Sequence, residues 1–317
     1  MKNYFLLAFL FATQLLLAQS KDKKIFLDSL WNQTNEGNHK YYRITTDYYL
    51  NKKGYQITDF YLNGQIKNQG SYEDKDGNGR IGQHKEYYSS GRLKTEKNYA
   101  ADNRPSGPFN SFYENGNKEI EGEYVKIKTD VVEEHSILKV ISYWDENGTQ
   151  RIIEGNGTMI EKSEKETSRG KLVNGFKEGT WIGTNPSKKV QFVDKYESGI
   201  FIAGVSKDST NTEFGYLEIN KMPAFKTGLM DFYKYVGKNF NKPDTETIKG
   251  KLITEFTIGT EGQIQDVKII KGLRKDLDIE AIRLIMSTDN SWNPGEYRGI
   301  KTEIKNTFPI VIDIKVN

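Results

Sequence analysis

The residues best suited to chemistry are Asp74-Lys75-Asp76-Gly77-Asn78-Gly79. Asp74, Asp76 and Asn78 place oxygens at the first, third and fifth positions of a calcium loop, and Gly79 takes the sixth. The twelfth position needs a bidentate Glu but holds Lys85, with Glu86 one place late. The flanks read as strands, and the same residue types make an ordinary polar hairpin turn. No metal is therefore expected, and Asp74, Asp76 and Asn78 remain only a calcium candidate. His39, His84 and His135 lie far apart without ligand spacing. The chain has no cysteine, which removes thiol nucleophiles, disulfides and a lipid-modified cysteine. No Gly-x-Ser-x-Gly elbow or Walker loop occurs, and Gly155-Asn156-Gly157 is too short to cradle phosphate. A carboxylate pair is the only credible acid–base chemistry. The expectation is a protein with no catalytic residues and no cofactor, whose function comes from what it binds.

The chain ends and composition set the compartment. Lys2 precedes an apolar stretch from Tyr4 to Ala18, and Ala18-Gln19-Ser20 gives way to Lys21-Asp22-Lys23-Lys24. This is a signal-peptide layout, with residues 1–18 removed after Ala18. The apolar stretch is shorter than the roughly 20 residues of a membrane span; an uncleaved N-terminal anchor is the other reading. Either places the protein in the periplasm or cell envelope. The 46 basic and 43 acidic residues nearly balance, so nucleic acid is not an expected partner. Aromatics reach 12%, with 19 Tyr, which suits a strand-rich fold.

The middle of the chain repeats. Phe60-Tyr61-Leu62-Asn63-Gly64, Tyr87-Tyr88-Ser89-Ser90-Gly91, Phe112-Tyr113-Glu114-Asn115-Gly116 and the looser Tyr143-Trp144-Asp145-Glu146-Asn147-Gly148 share a pattern. Their closing glycines lie 27, 25 and 32 residues apart. Leu172 to Trp181 reads as a further copy, and Lys126 to Val140 breaks the period. Each unit predicts two short aromatic strands around a glycine turn. A lone hairpin is marginal in water, so the units must stack. These residues resemble MORN repeats in the divergent form of bacterial envelope proteins, over residues 41–204, after a lead-in at 19–40. The rings either form the core of the stack or stand exposed to bind a protein, cell-wall or glycan partner.

The last third has the clearest pattern. Leu229, Phe232, Tyr233, Val236 and Phe240 make one apolar helix face, ended by Pro243. Lys251–Ile258 and Ile264–Ile270 flank Gly259-Thr260-Glu261-Gly262 as a hairpin. Asp278 reads as the N-cap of a second helix whose buried face is Ile279, Ile282, Ile285 and Met286. A final strand puts Ile300, Ile304, Phe308, Ile310, Ile312 and Ile314 on one face. Pro309, lacking an N–H, marks it as a sheet edge.

Met222-Pro223-x-Phe225, the helix to Phe240, Pro243, Gly250, Gly262, Leu277-Asp278-x-Glu280-Ala281 and Trp292-Asn293-Pro294-Gly295 together resemble a TonB C-terminal domain over residues 222–317. Lys226-Thr227-Gly228 and Lys242 depart from the usual pattern, and no proline-rich spacer precedes the domain. The expected fold class is thus a mostly β array of hairpin repeats followed by an α+β domain, two helices on a three-stranded antiparallel sheet. The resemblance implies β-augmentation: a TonB-box segment of a TonB-dependent outer-membrane transporter pairs with the edge formed by Lys301, Thr302, Glu303, Ile304, Lys305, Asn306 and Thr307. Function would then be support of transmembrane transport. The alternative is a structural or adhesive envelope protein whose repeats do the binding. Residues 205–221, polar and turn-rich, read as a connector that lets the two domains move independently.

Overall fold

A computed structural model describes residues 21–128, 134–241 and 247–314. The signal-peptide reading of residues 1–18 and the helix-ending Pro243 lie outside the described residues. The chain divides into two compact units, Met1–Ile160 with Gly170–Glu178, and Glu161–Arg169 with Gly179–Asn317.

The first unit begins with β1 (Lys23–Leu27), β2 (Gln33–Thr34) and a single 3-10 turn at Glu36–Asn38. β3 (Tyr41–Thr45), β4 (Tyr55–Tyr61), β5 (Ile66–Tyr72), β6 (Arg80–Tyr87) and β7 (Leu93–Tyr99) follow. β8 (Pro105–Phe112), β9 (Lys118–Ile127), β10 (His135–Trp144), β11 (Gln150–Ile153) and β12 (Asn156–Lys162) complete the run. β1 pairs with β2 and β3, and from β3 onward each strand pairs antiparallel with the next.

The repeat is visible in its turns. In the first hairpin the Gly64 N–H donates to the Tyr61 carbonyl at 3.0 Å, and the Tyr61 N–H to the Gln65 carbonyl at 2.8 Å. Tyr88 with Gly91, Tyr113 with Gly116, and Asp145 with Gly148 repeat this closure. Gly64, with φ +83°, takes the left-handed step that lets a tight turn rejoin its strand. Tyrosines then tie one repeat to the next. The hydroxyl of Tyr61 donates to the Tyr87 carbonyl, Tyr88 to Phe112, and Tyr113 to Trp144, at 2.8, 2.8 and 2.9 Å. These bonds satisfy turn carbonyls that the ladder leaves open, so Tyr88→Phe is expected to lower stability by about 1 kcal/mol in urea unfolding. A loss near zero would mean that water replaces the hydroxyl.

One face of the first unit is its core. Tyr55, Ile57, Tyr72, Tyr99, Phe109, Val140 and Tyr143 are buried there. His84 sits edge-on between Tyr72 and Tyr99, with centroids 5.0 and 4.9 Å away. Burial pulls the His84 pKa below its ordinary value, which favours the neutral ring. Gly70 makes room for it, because a Cβ there would lie 2.3 Å from the imidazole. Asp59, also buried, receives the Arg43 guanidinium at 2.7 and 3.0 Å.

The residues of β13 (Thr167–Val173) and β14 (Phe176–Asn185) are divided between the two units, and the second unit continues with β15 (Val190–Glu197), β16 (Ile200–Lys207) and β17 (Glu213–Tyr216). β14 to β17 pair in sequence order, and β15 alternates strictly, with Val190, Phe192, Asp194 and Tyr196 inside. Residues 205–221, expected as a free connector, therefore hold structure. Gly204–Lys207 pairs with Glu213–Tyr216 around a turn in which Asn211 takes φ +64°. Only Asp208 to Thr212 is the polar hairpin tip, and the strand that follows it, β17, is four residues long.

The remaining elements are β18 (Asn220–Lys221), β19 (Ala224–Phe225), α1 (Leu229–Asn239), β20 (Ile248–Ile258) and β21 (Ile264–Lys271). They end with α2 (Lys275–Met286), β22 (Trp292–Asn293), β23 (Gly295–Tyr297), β24 (Ile300–Thr302) and β25 (Ile304–Ile314). β21, β20 and β25 form the expected three-stranded antiparallel sheet. Both helices pack on one face of it, around Phe232, Val236, Phe256, Leu277, Leu284 and Trp292. Gly262 closes the β20–β21 turn at φ +87°, where a Cβ would lie 2.1 Å from the Trp292 carbonyl.

The helix faces differ from expectation. On α1, Phe232, Val236 and Phe240 are buried, but Leu229 and Tyr233 are 59% and 49% exposed. On α2, Leu277, Ala281, Leu284 and Ile285 face inward, whereas Ile279 and Met286 stand out in solvent. A three-stranded sheet is only about 10 Å wide, and two helices share it, so each buries a narrow stripe. Asp278 is not an N-cap: α2 starts at Lys275, and Asp278 reaches back to accept the Leu273 N–H at 3.0 Å.

Candidate functional site

The edge of β25 and the hairpin before it define the site. β25 pairs along its length with β20, from Ile258↔Ile304 to Ile248↔Ile314, and pairs with no other described strand. The Thr254 hydroxyl donates to the Phe308 carbonyl at 3.1 Å, so Phe308 turns its backbone toward β20. Its neighbour Pro309, opposite Ile253, then turns its nitrogen away from the ladder, the one orientation in which a missing N–H does no harm. By alternation, Lys305, Thr307, Val311 and Asp313 present N–H and C=O groups to the open edge. On the solvent face, Glu255 lies between Lys268 at 2.9 Å and Lys305 at 3.3 Å. Its hydrogen bonds from Lys268 and Lys305 outweigh burial and hold its carboxyl below the ordinary glutamate range. Lysines beside an open edge are a common guard against unwanted strand pairing.

The seven residues expected to form one edge are split. Lys301 and Thr302 belong to β24 and pair with Glu296 and Gly295 of β23. Glu303 falls between strands. Ile304 to Thr307 open β25, with only Lys305 and Thr307 facing outward by the alternation above.

β23 and β24 meet in a two-residue turn, Arg298-Gly299, with φ +51° and +79°. Positive φ at both positions is the tight hairpin form that suits twisted strands. Gly299 takes it freely, but arginine does so at a cost, and the surroundings hold it there. Arg298 is 4% exposed and Asp194, on β15, 2%. One guanidinium nitrogen of Arg298 lies 2.5 and 2.6 Å from the two Asp194 oxygens. The other donates to Glu166 at 3.2 Å. The guanidinium plane covers the Phe192 ring, 3.4 Å from its centroid. The Tyr216 hydroxyl also donates to Asp194. Tyr297 donates to Glu166 and accepts from Asn185 at 3.1 Å. Burial alone would lower the Arg298 pKa, but its bonds to Asp194 and Tyr216 outweigh that and raise it. The backbone is pinned as well: the Arg298 N–H donates to the Ile219 carbonyl at 2.8 Å, and Ser206 donates to the Arg298 carbonyl at 2.7 Å. Sequence reasoning missed this cluster entirely. Its effect is to seat the β23–β24 hairpin against β15, β16 and β17 and so to fix the start of β25.

The calcium candidate folds as a self-contained turn. One Asp74 oxygen accepts the N–H groups of Asp76, Gly77 and Asn78 at 3.0, 2.9 and 2.9 Å, and the other accepts the Asn78 amide at 2.8 Å. Burial pushes the Asp74 carboxyl up, but these bonds prevail and hold it below the ordinary range. Asp76 instead accepts from Tyr48 at 3.2 Å. Among the described residues, no group of three or more His, Cys, Asp or Glu is arranged to hold a metal.

The comparisons with known proteins agree with this geometry at one end of the chain. The family described as Gram-negative bacterial TonB protein C-terminal matches residues 244–312. No curated protein matches the chain. The match runs through β20, β21, α2 and most of β25, so this region is similar to a TonB C-terminal domain. Such domains occur in envelope-associated proteins. Among the described residues, no helix is long and apolar enough to cross a membrane.

Proposed function

We propose that the chain is an exported binding protein of the cell envelope, with its leader removed, that captures an extended segment of an outer-membrane transporter on the open edge of β25. The proposal includes that the protein acts by binding and not by catalysis. The observation that carries it is a long strand edge that no other described strand pairs with, in a region matched to the TonB C-terminal family. Backbone bonds supply affinity in this mode, and the pleat tunes specificity. Lys305 and Thr307 lie on one side of Pro309 and Val311 and Asp313 on the other, so a partner strand pairs in two short stretches. A few bonds at about 1 kcal/mol net each give weak, reversible contact, which suits a partner that must engage and release.

The test is fluorescence anisotropy with labelled N-terminal transporter segments and the full chain. Thr307→Pro removes an outward donor and leaves the ladder to β20 intact. It is expected to weaken binding about tenfold, as the loss of one such bond and of strand continuity implies, with an unchanged melting temperature. Asn306→Pro, which removes an inward donor, is expected to destabilise the sheet instead. Equal affinity of wild type and Thr307→Pro would sink the proposal.

A further inference from the structure

The face of the first unit opposite its core carries an order of its own. Each hairpin turn is followed by a register shift that sets one side chain across from another: Phe60↔Ile66, Tyr87↔Leu93, Phe112↔Lys118, and Trp144↔Gln150. Alternation puts Phe60 away from buried Asp59, and Phe112 away from buried Ser111. Tyr87 is placed on this face by its hydroxyl, which accepts from the Gln69 amide at 3.1 Å. Tyr42 extends the row, stacked on Phe60 at 4.7 Å and 6°. All these rings are half-buried, shielded sideways by neighbours. Among its described residues the first unit has neither an α-helix nor a second sheet to cover them.

Two features say what fits. The first is period. Phe60, Tyr87, Phe112 and Trp144 stand on β4, β6, β8 and β10, one ring for every second strand. Two strand spacings are about 9.6 Å, which is the order of the disaccharide repeat of a β-1,4-linked polysaccharide. The second is the polar row alongside. A groove of about 390 Å3 is lined by Gln56, Thr58, Gln69, Ser71, Gln83 and Lys85. The three amides are each engaged by one neighbour, Ser71, Tyr87 or Glu96, and an amide has capacity for more bonds. Rings offer flat apolar platforms, and neutral amides offer paired donors and acceptors. A protein partner would be served by a continuous apolar band, but Lys118 and Gln150 interrupt this one.

We propose that this face binds a linear β-1,4-linked polysaccharide of N-acetylated sugars, with alternate sugars stacked on Tyr87, Phe112 and Trp144, the Phe60 ring being already covered by Tyr42, and with their acetamido and hydroxyl groups bonded by the glutamine row. The site is separate from the β25 edge and does not depend on it. The test is calorimetric titration of the full chain with β-1,4-linked N-acetylglucosamine dimer, tetramer and hexamer. Affinity is expected to rise about tenfold from dimer to tetramer as a second ring is engaged, and again to the hexamer. Tyr87→Ala and Phe112→Ala are each expected to weaken hexamer binding about five- to tenfold. Thr307→Pro is expected to bind the hexamer as the wild type does. Absence of binding by the wild type at millimolar hexamer, affinity that does not change with length, or full affinity in the Tyr87→Ala/Phe112→Ala double variant would each overturn the proposal. The length series uses only the wild-type chain, so it decides the matter even where a variant fails to fold.

Discussion

Asp194→Ala is expected to lower the stability of the chain by about 3–5 kcal/mol, because it strands a buried guanidinium. Arg298 would keep Glu166, at 3.2 Å, as its anionic partner, but the Glu166 side chain is 30% exposed and its charge is partly screened by water. Asp194 is the partner that replaces lost hydration, through two bonds to one nitrogen of the guanidinium. The Arg298 turn also holds a left-handed arginine, whose backbone cost is met only while the side chain is anchored. Removing both charges tells the two contributions apart. Asp194→Leu with Arg298→Met replaces the pair by apolar groups, and such exchanges are often neutral or stabilising. The double variant should therefore recover most of the lost stability in urea unfolding. A single-variant loss below about 1 kcal/mol, the range of an exposed pair, would show that Arg298 is solvated in solution.

Trp292→Ala is expected to cost about 3–5 kcal/mol, the range for deleting a large buried aromatic. Its ring lies 4.9 Å from Phe232, 5.3 Å from Phe225 and 5.8 Å from Phe256. One indole thus joins α1, β19 and the central strand β20. Its Nε1 donates to Thr288 at 3.1 Å, so the buried donor is satisfied only where it sits. Trp292→Phe keeps most of the contact area but leaves Thr288 without that donor, and a loss of about half as much is expected. Thermal unfolding of the two variants would separate packing from polar satisfaction. Equal losses would mean that the hydrogen bond dominates.

Much of the TonB-like domain could be read from the chain alone. The alternation of Phe308, Ile310 and Ile312, the turn glycines and Pro309 each express a local backbone rule, and local rules survive folding. The repeat was legible for the same reason: Gly64, Gly91 and Gly116 mark positive φ, which few other residues tolerate. The helix faces were less legible because Leu229 and Ile279 are apolar yet exposed, and apolar residues at a surface are common. Arg298 left no trace. It reads as a surface turn residue, arginine is seldom buried, and its partners Asp194 and Glu166 come 104 and 132 residues earlier. The β16–β17 hairpin was hidden by Asp208 to Thr212, a polar tip that looks like linker until Phe214 and Tyr216 are seen to alternate.

The seating of the β23–β24 hairpin changes how the β25 edge is studied. A fragment cut at residue 222 keeps Arg298 but loses Asp194, Tyr216 and Ser206, so the full chain is the appropriate sample. The most direct measurement is backbone amide NMR of that chain, titrated with N-terminal segments of outer-membrane transporters from the same cell. The account predicts that the Lys305 and Thr307 amides shift and gain protection from exchange, while Ile304 and Asn306, already bonded to β20, gain none. No shift along β25 at millimolar peptide, or protection gained equally by odd and even residues, would contradict it.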